Sequence, residues 1–274
     1  DGVIAAWSPT VDMTHAIRAV DNASTNAVYK GLALSAGGSG SLLYAADFHN
    51  NRIDVFDATF KPVTLPAGAF TDPSLPSGFA PFGIQAINGD VYVAYAKQDA
   101  EGHDDVTGNG LGFINVFDPN GTMIRRFATR GELNAPWGMA LAPAGFGKFS
   151  GRLLVGNFGD GLIHAYDFAT GEFVGTLRDN AQKPIQVPGL WGLAFGNGFV
   201  NQPVDTLFFA AGPADETQGL YGRIDVAAES QSQGGSGQQG QQGQQGQQGQ
   251  QGQQGQSMPQ SQPQSQPQAQ SQQY

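Results

Sequence analysis

The chain has 274 residues with 13 basic and 23 acidic side chains, a net charge of −10, 40 glycines and no cysteine. This balance excludes a nucleic-acid binder, whose affinity comes from clustered Lys and Arg displacing counterions. It also excludes a disulfide scaffold, thiol catalysis and thiolate metal sites. Apolar residues make up 39% of the chain, enough for a core, so a wholly disordered protein is excluded as well.

In chain order, Val3–Pro9 and His15–Val20 read as two strands that end a sheet begun elsewhere. Lys30-Gly31-Leu32-Ala33, Leu42–Asp47 and Arg52–Asp57 follow as three more strands, the last alternating apolar and polar with period two. Phe82-Gly83-Ile84, Val91–Tyr95, Phe113–Asp118 and Thr122–Phe127 repeat that order, broken by an insertion at Lys97–Gly112. Trp137-Gly138-Met139-Ala140, Leu153–Asn157, Leu162–Asp167 and Glu172–Leu177 repeat it again. Trp191-Gly192-Leu193-Ala194, Leu207–Ala211 and Leu220–Ile224 open a fourth unit. Asn, Asp and Gly punctuate the joints, as tight turns require.

The four glycines lie 52, 55 and 54 residues apart. Units of about 50 residues with four short strands are propeller blades. The fold class is therefore all-β: a β-propeller of four-stranded antiparallel blades, four present plus a partial one. Two strands of that partial blade are missing ahead of Asp1, so an N-terminally incomplete, six-bladed ring is expected, with four or five blades as alternatives. A glycine on each innermost strand admits close approach of backbones near the axis.

The propeller is assigned residues 1–228. Residues 229–274 hold 23 Gln and 9 Gly, with no charged side chain after Glu229. Gly-Gln-Gln triplets without proline cannot form a collagen helix, and the segment is expected to be disordered. No apolar run approaches the ~20 residues of a membrane span, and no signal peptide is visible in this chain.

Leu42–Asp57, reading LLYAADFHNNRIDVFD, resembles the core of an NHL repeat, and Leu153–Asp167 resembles it more loosely. Over residues 1–225 the chain also resembles a family of exported bacterial propeller proteins, some bearing a PEP-CTERM sorting signal. The stretches Trp7–Asp12, Tyr95–Asp105 and Ala135–Gly171 carry that likeness. It implies an extracytoplasmic, secreted or periplasmic propeller and supplies no activity. The Pro-Glu-Pro motif and terminal hydrophobic span of sorted members are absent from this sequence.

Two places could hold chemistry. Phe82, Trp137 and Trp191 stand at equivalent positions before their glycines, so repetition gathers them at one end of the channel. There they could stack on a flat ligand or pack between blades. Asp99, Glu101, Asp104 and Asp105, with His103 and Asn109, make the insertion a candidate calcium loop or a solvated acidic one. Lactonase-type propellers place Asn, Asp and Glu around an axial Ca²⁺, and Asp47 and Asn157 occupy matching positions. Both could instead bond their adjacent turns. The His residues show no metal spacing, and no GxSxG elbow is present. Arg125, Arg126 and Arg130 read as a solvated outer strand.

No catalytic set is recognisable. The leading expectation is an extracytoplasmic binding or scaffold propeller that engages a small molecule, glycan or protein at one ring face. The alternatives are a calcium-dependent, lactonase-like hydrolase or lyase, and a structural matrix protein whose tail drives assembly.

Overall fold

The computed structural model of the protein describes residues 1–37 and 40–227. The expected Gln/Gly-rich tail at 229–274 lies outside the described residues. Among the described residues, seventeen strands form five antiparallel sheets, and two short 3-10 turns, Ala23–Thr25 and Gly147–Phe149, are the helical elements.

The first sheet pairs β1 (Val3–Ala6) with β2 (Ile17–Asp21). Blade I comprises β3 (Tyr29–Gly37), β4 (Gly40–Asp47) and β5 (Arg52–Phe56). Blade II comprises β6 (Phe79–Ile87), β7 (Asp90–Gln98), the short β8 (Asp105–Val106), β9 (Gly112–Phe117) and β10 (Met123–Thr129). Blade III is β11 (Pro136–Leu141), β12 (Arg152–Asn157), β13 (Ile163–Asp167) and β14 (Phe173–Thr176). Blade IV is β15 (Leu190–Phe195), β16 (Leu207–Ala211) and β17 (Leu220–Ile224). Within each blade the strands pair in chain order, β8 adding to the end of β7. The molecule is a β-propeller, as the repeats predict.

Blades pack face to face, so both faces of a middle blade must be apolar. That is why β9 is buried along its whole length. Tyr44, Phe70, Val93 and Phe117 fill the space between blades I and II. Tyr92, Phe127, Met139 and Leu153 fill the next boundary, and Leu154, Ile163, Leu193 and Leu207 the last. Each such side chain contributes about 1.5–3 kcal/mol through burial. The innermost strands β3, β6, β11 and β15 come so close that glycine is needed. A methyl group on Gly31 would lie 2.8 Å from the carbonyl oxygen of Phe82, and one on Gly138 2.5 Å from that of Trp191.

Three local features differ from the sequence expectation. Blades I and IV have three strands each. In blade I, the segment that would make the fourth carries Pro62 and Pro66, which cannot donate to a ladder, and only the Phe56–Pro62 bridge forms. The insertion is no free loop but an arm, with β8 doubling back on β7. The arginines are not simply solvated. Arg126 pairs with the buried Asp72, and Arg125 donates to the carbonyls of Phe168 (2.8 Å) and Ala169 (2.7 Å) in blade III. Arg130 lies over the Phe113 ring at 5.3 Å.

Candidate functional site

The position before each inner-strand glycine carries Lys30, Phe82, Trp137 and Trp191. The three aromatics meet in one cluster with Phe48 and Phe158, which follow Asp47 and Asn157 at the C-terminal ends of β4 and β12. Phe82 is wholly buried, its ring centroid 5.4 Å from Phe48 and 5.6 Å from Trp191. Trp137 and Trp191 meet edge to face at 5.3 Å, and Trp191 lies 4.4 Å from Phe158. Offset and edge contacts of this kind add about 0.5–1.5 kcal/mol each beyond burial.

Both indole N–H groups are held. Trp137 donates to the carbonyl of Lys30, 2.8 Å away and two blades distant. Trp191 donates to the Glu216 carboxylate at 2.5 Å. The cluster therefore ties blades I, III and IV together near the axis. Phe82 is its interior support, while the two half-buried tryptophans keep surface available.

The arm reaches the same region. Its turn is closed by the Asp99 N–H donating to the Asp104 carbonyl (2.9 Å) and the His103 N–H donating to Asp99 Oδ1 (2.8 Å). Gln98 anchors its base by donating to the Phe48 carbonyl at 2.7 Å. Lys30 Nζ bonds Asp104 Oδ1 at 2.8 Å, and His103 Nδ1 lies 3.1 Å from Asp104 Oδ2. Lys30 first, then His103, hold the Asp104 carboxyl below the usual carboxylate range. Asp99, Glu101, His103, Asp104 and His49 line a cleft of about 700 Å³.

Asp105 has different company. Burial pushes its carboxyl up to about 6, with Asp104 and Glu216 adding to the rise and its backbone N–H and Lys30 opposing it. Its Oδ2 is shut off from solvent and has no hydrogen-bond partner among the described residues. A buried carboxylate oxygen without a donor is costly, which is why burial shifts this carboxyl toward holding its proton.

The calcium expectation does not fit these residues. Among the described residues no three of His, Asp and Glu are grouped as a metal ion requires. Asp99 and Asp104 are committed to the arm's turn and to Lys30. Asp47 accepts from the N–H groups of Val28 (3.1 Å) and Asn50 (3.3 Å), and Asn157 accepts from the Asn134 N–H (3.2 Å) and donates to the Glu132 carbonyl (2.8 Å). Both are turn-holding residues.

Lys30, Phe48, Phe158 and Glu216 join the site in addition to the residues expected from the sequence. The first three carried a signal. Lys30 fills the aromatic slot of the first repeat, and Phe48 and Phe158 hold equivalent places after Asp47 and Asn157. Glu216 sits in the joint that carries Phe48 and Phe158 in blades I and III, but in a longer connection of unrelated sequence.

No family model matches the chain. By sequence it is similar to three uncharacterized proteins of Acanthamoeba polyphaga mimivirus. The identities are 36% over 199 residues, 34% over 229 and 34% over 228, covering 70%, 81% and 81% of this chain. The chain spans only 36%, 55% and 59% of those relatives' lengths. These relatives are viral, in contrast to the exported bacterial propellers expected from the sequence. Among solved structures, one described provisionally as a gluconolactonase superposes with a TM-score of 0.50 at 18% identity, covering 83% of this chain and 71% of the other. Virginiamycin B lyase from Staphylococcus aureus gives 0.37 at 16% identity, covering 72% and 55%. At such identities the likeness is one of fold, and the fold is a β-propeller.

Proposed function

We propose that the protein is a ligand-binding propeller whose working face is the channel end bearing Trp137, Trp191, Lys30 and the arm. One observation supports this most: the repeat-equivalent aromatics converge, and two tryptophans remain half-exposed, one of them bonded to the backbone of the cation Lys30. An aromatic platform with a few polar groups at its rim suits a small ring-shaped polar ligand, such as a sugar or sugar lactone. A location outside the cytoplasm belongs to the same proposal and rests on the resemblance to exported propellers. Fractionation of the producing cells checks it: recovery with the cytoplasmic marker would remove it.

The binding test is a fluorescence titration against neutral sugars, uronic acids and aldonolactones. We expect at least one class to quench saturably. The quench should vanish in Trp191→Ala and persist in Trp7→Phe. A flat response across all three classes, or a quench that survives in Trp191→Ala, overturns the reading.

The lactonase-like alternative draws on the fold of the neighbour described as a gluconolactonase. It is ranked second because the residues expected to ligate an axial cation hold turns instead. Calcium-stimulated hydrolysis of an aldonolactone by the purified protein would reverse the ranking.

A further inference from the structure

The boundary between blades I and II holds a set of buried polar groups that the binding face does not use. Register sets Asn115 of β9 opposite Val93 of β7 on one side and Arg126 of β10 on the other. Tyr95 stands two residues along β7 from Val93, on the same face of the sheet. That face meets blade I, where Val93, Tyr95 and Phe113 pack with Tyr44 and Phe70. Tyr95 is 2% exposed and Asn115 0%.

Asp72, in the connection from blade I to blade II, fixes how two of these groups are turned. Its Oδ2 accepts from Asn115 Nδ2 at 3.0 Å and from Arg126 Nη2, which also donates to Ser74 Oγ at 3.2 Å. The Asn115 amide cannot be reversed, because its oxygen would then face the carboxylate. The Arg126 guanidinium lies over the Phe113 ring, 4.9 Å from the centroid, so its plane is set as well. Three atoms are left over. Asn115 Oδ1, Arg126 Nε and Tyr95 Oη are shut off from solvent and have no hydrogen-bond partner among the described residues. After burial itself, Asn115, Asp72 and Arg126 are the groups that act on the Tyr95 hydroxyl, so the three atoms share one neighbourhood.

We infer that this spot binds one water molecule, held by Arg126 Nε, Asn115 Oδ1 and Tyr95 Oη. The set offers one donor, one acceptor and one hydroxyl that can act as either. Water matches it group for group. It accepts from the Arg126 Nε–H, donates to Asn115 Oδ1 and makes its third bond with Tyr95 Oη, the usual number for a buried water. Ions match less well. Asp72 already neutralises Arg126, so an anion would meet the carboxylate and the amide oxygen with no spare positive charge to hold it. A cation would meet the guanidinium. The water joins β7, β9, β10 and the Asp72 segment by one polar link inside an otherwise apolar boundary, where an unpartnered group is costly.

A crystal structure of the 274-residue chain, at a resolution that shows ordered solvent, tests the site directly. We expect one density peak within about 3.2 Å of all three atoms. No peak there, or Tyr95 Oη in direct hydrogen-bond contact with Asn115 Oδ1, overturns the proposal. Tyr95→Phe adds a test in solution. It removes one partner of the water and keeps the packing of the ring. We expect its melting temperature to fall below the parent's, because the hydroxyl has a bond to lose. A melting temperature equal to the parent's or above it also overturns the proposal, since deleting a buried hydroxyl that bonds nothing carries no loss. The density test uses the parent chain, so it holds whether or not the variant folds.

Discussion

Gly83 faces the carbonyl of Trp137 across the boundary between blades II and III, with no room for a methyl group between them. The clash would be with backbone, which cannot swing aside as a long side chain could. Gly83→Ala must therefore push two inner strands apart, and overpacking of this kind costs about 1–3 kcal/mol. Gly219, where an added methyl meets nothing within 4 Å, is the control, and its alanine variant should stay within about 0.5 kcal/mol of the parent. Denaturant melts of the two variants decide the matter. Equal midpoints would mean that the inner strands are not in contact.

That spacing was legible because a repeat shows the same constraint several times. One glycine in a strand says little, whereas four at near-constant intervals, each preceded by a bulky residue, locate an axis. The convergence of Phe82, Trp137 and Trp191 followed from the same repetition. What repetition could not show is what differs between units. Lys30 breaks the aromatic series, and its charge finds Asp104 only because the arm folds back over blade I. Asp105 and Glu216 come from the same joint, between second and third main strands, of blades II and IV, but the two connections differ from each other in sequence, so no local pattern could pair them. The missing fourth strand of blade I was readable in Pro62 and Pro66, since proline opposes a ladder wherever it occurs.

Asp72 and Arg126 should make stability depend on acid. Burial alone would raise the Asp72 carboxyl, but Arg126 and the hydroxyl and N–H of Ser74 outweigh it and hold the group at about 2. Its side chain is 2% exposed. With the folded value below the unfolded one, its contribution is present above about pH 4 and is lost as pH falls toward 2. The expected size is about 2 kcal/mol. Asp72→Asn should lower the melting temperature at pH 7 and flatten its fall between pH 4 and 2. An unchanged acid slope in the variant would show that the pair is not the cause.

Lys30→Met should loosen the arm without unfolding the blades. The ammonium's partner, Asp104, is 65% exposed, so the pair is worth under about 1 kcal/mol. The loss falls on the arm, because Asp104 belongs to its turn. Amide exchange at residues 99–106 should quicken about fivefold while β9 and β12 keep their protection. Exchange that rises uniformly across the blades would instead make Lys30 a general stabiliser.

Asp105 should act with the opposite sign to Asp72. Its folded value, about 6, lies above the ordinary 3.8, so the folded state holds this proton more tightly than the unfolded chain does. Stability from this group is full below about pH 4, declines as pH rises through 6, and is constant thereafter. The full displacement is worth up to about 3 kcal/mol, which partial exposure of the side chain reduces to about 1 kcal/mol. Asp105→Asn removes the ionisation and keeps the shape. It should raise the melting temperature at pH 7.5 and leave it unchanged at pH 4, a pH-dependent gain that better packing alone would not produce. An equal gain at both pH values, or a loss at pH 7.5, would mean that the carboxylate is well solvated or paired in the folded protein.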